Sequence, residues 1–200
     1  MQVSSVLNNN LEQWLDGDEL RIRFFLQADR YAHEIWLRDG DAWAPALRSV
    51  EGSASDNWPA SPPFQSLHID ERSGTRSLAL LVGMAGKSHW SASVQLDPAG
   101  RQASFDVACR VRGASGRLAS SYWLAEPRSN RVIALDPAGQ QATCGLARPI
   151  EPSIQLQIYQ DHAPLRLSHE SGELKLQAED TGPQVRARTV RWRYDVRLTS

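Results

Sequence analysis

The side chains with the most chemistry to offer lie in two strand-like segments joined by a tight turn. Trp90, Ala92, Val94 and Leu96 alternate with His89, Ser91, Ser93 and Gln95, and Phe105, Val107, Cys109 and Val111 face away from Asp106, Arg110 and Arg112. Asp97-Pro98-Ala99-Gly100 between them is turn chemistry. Pairing the segments with Leu96 opposite Arg101 sets Ala92 against Phe105, Trp90 against Val107 and Ser88 against Cys109, so one face is apolar. The other face then carries His89 opposite Ala108, Ser91 opposite Asp106 and Ser93 opposite Ser104, with Asp106 and Arg110 diagonal to His89. An acid, a base and a cation meet there, and the small Ala108 leaves room above them. A carboxylate acceptor, an Arg fork and an imidazole able to donate or accept suit a sugar or a similarly polyhydroxylated small molecule. If the site is catalytic, His89 is the acid or base, because its ordinary pKa of about 6.5 lies near the working range. A polar sheet face turned to water accounts for the same residues.

Trp58 is the aromatic that could complete such a site. It sits in a polar, proline-interrupted stretch from Arg48 to Phe64, longer than an ordinary hairpin loop. Its alternative role is a plug that fastens this loop to the core. His68 and Asp70 project to one face of a probable strand, but two ligands make no metal site, and neither a metal nor a cofactor is expected. Gly83-Met84-Ala85-Gly86-Lys87-Ser88 has the look of a phosphate-binding loop, but only two residues separate its glycines and a strand pattern follows. Four residues and a helix are needed to wrap and hold a phosphate, so the segment reads as a hairpin turn.

Period-two alternation is the recurring signal that must position these residues. Leu20 to Leu26, Ile154 to Ile158 and the last strand from Val190 to Leu198 all carry it, with Trp192, Tyr194 and Val196 opposite Arg191, Arg193, Asp195 and Arg197. Half-apolar strands of this kind belong to antiparallel sheets with one buried face. Turn sequences at Asp39-Gly40, Asp136-Pro137-Ala138-Gly139 and Ser171-Gly172 separate further candidates, for at least ten strands in all. Helix is expected only from about Leu11 to Leu15, where Asn10 offers a cap. No linker divides the chain, and residues 1–200 are expected to form a single domain. Leu96-Asp97-Pro98-Ala99-Gly100 recurs as Leu135-Asp136-Pro137-Ala138-Gly139, but no third copy supports a repeat architecture, so one good turn has been used twice.

So many antiparallel strands cannot remain one open sheet, and the expected fold is an all-β, large two-sheet β-sandwich. In architecture and residue type it is similar to the galactose mutarotase-like sandwiches. That resemblance implies sugar binding or rearrangement on a polar concave sheet face bearing His, acidic and Arg residues. No signature motif of the family aligns, and no catalytic assignment is carried over.

Charge and composition set outer limits. The formal net charge is −1, so no long-range field draws the chain to nucleic acid or to an anionic membrane surface. Interleaved arginines and aromatics on the last strand point to opposite faces, which also disfavours single-stranded nucleic acid. No stretch reaches the roughly 20 apolar residues of a membrane helix and no targeting segment is evident, so a cytoplasmic location is expected. Cys109 and Cys144 lack the close spacing of metal or redox motifs and read as buried thiols. Two functions therefore stand side by side. One is a carbohydrate-binding or carbohydrate-modifying domain using His89, Asp106, Arg110 and Trp58. The other is a non-catalytic interaction module using Arg191, Arg193 and Arg197 of the last strand.

Overall fold

The structure is a computed structural model that describes residues 12–72, 76–125, 131–136, 138–146, 153–183 and 186–199. Alternating apolar residues fold the chain into two antiparallel sheets. Sheet A runs, in spatial order, β1 (Glu12–Asp16), β2 (Leu20–Gln27), β3 (Arg30–Asp39), β4 (Ala42–Ser49), β9 (Ala119–Leu124), β14 (Glu173–Ala178) and β13 (Leu165–Glu170). Sheet B runs β10 (Arg131–Leu135), β11 (Gln141–Leu146), β12 (Ser153–Tyr159), β15 (Arg188–Thr199), β8 (Gln102–Val111), β7 (Ser88–Leu96), β6 (Arg76–Ala85) and β5 (Phe64–Arg72). The sheets pack face to face as the expected sandwich. Among the described residues no helix is long and apolar enough to cross a membrane.

Between the sheets lies one apolar core. Leu20, Ile22, Phe24 and Ile35 enter it from sheet A, and Trp90, Phe105, Trp192 and Tyr194 from sheet B. Phe105 and Tyr194 stack with ring centroids 4.8 Å apart, and Trp90 meets Trp192 edge to face at 6.1 Å. Several buried polar groups in this layer find partners, although Trp90 Nε1 has none among the described residues. His33 Nε2 shares a hydrogen bond of 2.9 Å with the Tyr122 hydroxyl, which meets the Tyr194 hydroxyl at 2.5 Å, and Trp192 Nε1 donates to Ser120 Oγ at 3.2 Å.

The helix expected over Leu11 to Leu15 is a strand instead. Glu12–Asp16 is β1, paired along its whole length with β2, while Leu11 and its supposed cap Asn10 lie outside the described residues. One turn of helix is marginal on its own. Pairing with β2 buries Leu15 completely and lays the Trp14 ring 4.5 Å from the Arg21 guanidinium, which outweighs a weak cap signal.

Gly83 shows how tightly sheet B is closed at its β5 edge. A Cβ there would sit 1.9 Å from the Pro63 carbonyl oxygen, where the register slips between Phe64 and Ser66. Gly83→Ala is expected to cost about 1–3 kcal/mol through overpacking against backbone that cannot yield. Chemical denaturation checks this, and an unchanged midpoint would contradict it.

Candidate functional site

The two strands that carry His89, Asp106 and Arg110 pair as a hairpin, but two residues out of the expected register. Leu96 pairs with Ala103, Ala92 with Val107 and Trp90 with Cys109, which places His89 opposite Arg110, Ser91 opposite Ala108 and Ser93 opposite Asp106. Turn chemistry explains the shift. Asp97 N donates to Gln102 O at 2.9 Å, Gly100 takes φ +61°, and Asp97 Oδ1 accepts from the Arg101 and Gln102 amides at 2.7 and 2.8 Å. The turn therefore consumes Asp97 to Arg101, with the Asp side chain standing in for missing backbone partners. Asp136 builds the same closure with Gln141, its amide donating to Gln141 O at 3.0 Å and its carboxylate accepting from Gln141 N at 2.6 Å.

A shift of two leaves each side chain on its expected face but changes its neighbours. His89 and Arg110 stand side by side, both exposed. Asp106 is removed from them, because Ser93 lies four residues along β7 from His89, about 13 Å at strand rise. Its carboxylate is held by Arg191 from β15, with Arg191 Nε 2.6 Å from Oδ1 and Nη2 on Oδ2. The expected meeting of acid, base and cation is thus corrected to an imidazole beside a guanidinium, with the acid neutralised by a different arginine.

An open hollow of about 540 Å³ lies over this pair. Ser91 and Ala108, the next outward pair along the two strands, line its floor beside His89 and Arg110, and Val82 and Met84 stand along one side. Neither the His89 nor the Arg110 side chain has an ion-pair or hydrogen-bond partner among the described residues. Leu80, Val82 and Met84 project outward from β6 and are 43%, 54% and 45% exposed, forming an apolar stripe. Gln65 steadies this edge, its Oε1 accepting from Met84 N at 3.1 Å where the β5 register slips.

Trp58 is not at this hollow. It is partly buried against the core, edge-on to Trp90 with centroids 6.4 Å apart, and Gly116 is glycine where a Cβ would come within 2.5 Å of its ring. That is the loop anchor weighed as its alternative role. Trp58→Ala is expected to destabilise the fold by about 3 kcal/mol without altering ligand binding, as a thermal melt alongside a titration would show.

The arginines of the last strand are engaged within the sheet, and β15 is flanked by β12 and β8. Arg191 holds Asp106, Arg193 lies 5.0 Å over the Tyr159 ring, and Arg197 donates to the Tyr159 hydroxyl and to Asp195 Oδ2, both at 2.9 Å. Tyr159 donates to the fully buried Asp195 at 2.5 Å, and its own hydroxyl is pushed up by burial and that carboxylate.

Sheet A carries a second outward constellation that periodicity did not reveal. The Arg21 guanidinium lies between Trp14 at 4.5 Å and Trp43 at 4.2 Å, with Trp36 at 5.7 Å, and Arg23 bridges Glu12 and Glu34. Because Arg21 occupies these ring faces, the cluster acts as a surface brace. The signal available in the sequence was the repeated pairing of Trp and Arg at outward positions of neighbouring strands.

No protein-family model matches the chain, and no curated protein matches it in sequence. Among solved structures, a heparinase III superposes with a TM-score of 0.63 at 10% identity, over 90% of this chain and 32% of its own. This chain therefore spans about a third of that protein's length, and what the two share is the β-sandwich fold.

Proposed function

We propose that this chain is a sugar-binding β-sandwich whose ligand lies on the outer face of sheet B, over His89 and Arg110, with Asp106 at the margin. One observation carries the reading: the hollow of about 540 Å³ is lined by two adjacent cation-capable side chains that have no side-chain partner among the described residues. That volume is within the roughly 300–1,000 Å³ of ordinary ligand sites. Arg110 offers a planar fork suited to a carboxylate, His89 donates to or accepts from a hydroxyl, and Ser91 adds a hydroxyl on the floor. Val82 and Met84 give the apolar side of a sugar ring a surface to lie against. The ligand favoured is a sugar bearing a carboxylate. The fold likeness to a heparinase III supports a carbohydrate ligand in general.

The test is calorimetry with neutral and uronic-acid disaccharides on the wild type, Arg110→Ala and His89→Ala. The acidic sugars should bind, and Arg110→Ala should weaken them about 10-fold or more, the loss of one charge-assisted contact at about 1.4 kcal/mol. A wild type that binds none of them, or binding unchanged in both variants, overturns the assignment.

A further inference from the structure

We infer that the ligand is a linear chain of sugar units, running from the His89–Arg110 hollow across Thr189 into a second hollow beside His162. This rests on the sugar-binding reading above and adds to it the length and path of the ligand. The second hollow encloses about 410 Å³, lined among others by His162, Glu179, Thr181 and Arg191, and Thr189 lines both hollows. The register explains their contact. Thr189 pairs with Arg110, and two residues further along β15 the Arg191 carbonyl accepts from Ala163 N at 2.9 Å, which draws His162 alongside the same strand.

The walls of this second hollow are fixed by backbone and ionic contacts. Glu179 N donates to Pro164 O at 2.8 Å and ties its two sides together. Asp180 accepts from Arg188 Nε at 2.7 Å and from Gly182 N at 3.2 Å, and Arg188 Nη1 donates to Gly113 O at 2.9 Å, pinning the stretch from Asp180 to Gly182. The lining offers hydroxyls the His162 imidazole, the Thr181 hydroxyl and the capacity that Arg191 and Glu179 keep beyond their pairings with Asp106 and Arg166. Each hollow alone is the size of a small-ligand site, so one sugar does not occupy both. Units joined in one chain turn the second contact into an intramolecular event, and affinity then rises with length.

The experiment titrates one uronic-acid series, from disaccharide to hexasaccharide, into the wild type, His162→Ala and Thr181→Trp. Thr181 is exposed, so a tryptophan there fills the hollow from its solvent side. The wild type should bind tetrasaccharide at least ~10-fold more tightly than disaccharide. Both variants should lose that gain while keeping the disaccharide affinity. Equal affinity for the two lengths, or a gain that survives in both variants, overturns the extended path and leaves the His89–Arg110 site standing. A wild type that binds no member of the series overturns both.

Discussion

Asp180→Ala is expected to lower the unfolding free energy by about 2–4 kcal/mol at pH 7, read from urea denaturation. The carboxylate is nearly enclosed, with its side chain 7% exposed, and it gathers Arg188, Ser115 Oγ at 2.6 Å and Gly182 N into one clamp between two loops. Removing it leaves the Arg188 guanidinium, itself only 12% exposed, without its counter-ion. The hydrogen bonds from Arg188 above all hold the acid down at about 2, against an ordinary 3.8. Its contribution is therefore complete above the ordinary value and is lost as pH falls towards 2. A variant whose stability matches the wild type at pH 7 contradicts this.

Glu51→Gln should act in the opposite direction, raising stability at pH 8 by on the order of 2 kcal/mol. Burial pushes the Glu51 carboxyl up to about 7, against weaker opposing pulls from the Ser49 hydroxyl and from Arg30 and Arg48. Between its ordinary 4.5 and 7 the native state keeps a proton that the unfolded chain has released, so stability declines as pH rises through that window. His33 has the contrary slope. Burial among Phe24, Phe105 and Tyr122 pushes its imidazole down to about 4 from 6.5, so stability declines as pH falls through that interval. In the wild type the two slopes oppose each other between about 4.5 and 6.5. Glu51→Gln should unmask the His33 slope, with stability rising from about pH 4 to 6.5 and then level. A pH–stability curve unchanged in shape by Glu51→Gln would contradict the account.

The hairpin of β7 and β8 marks how far a sequence can be read and where reading stops. Alternation assigns His89, Asp106 and Arg110 to the outer face, because an odd slip would drive Trp90 and Phe105 into water. An even slip violates no alternation, so the register depended on how many residues the turn uses. Asp97 settles that through its own side-chain hydrogen bonds, a local geometry that a turn motif leaves open. The outward stripe of Leu80, Val82 and Met84 was hidden for another reason: its strand is apolar on both faces, so periodicity cannot tell inside from outside. Trp58 was ambiguous until Trp90 and Gly116 were seen to receive it. The second hollow joins residues near 162, 180 and 190, which long-range contacts such as Ala163 with Arg191, Pro164 with Glu179 and Asp180 with Arg188 bring together.

The most direct test of the central claim is to locate the bound sugar on the protein. Backbone amide shifts should be recorded while a uronic-acid disaccharide is titrated into the wild type. The account predicts that the perturbed amides centre on His89, Ser91, Ala108 and Arg110, with the Trp14, Trp36 and Trp43 face of sheet A silent. Perturbations centred on that sheet A face, or none at all, would contradict it.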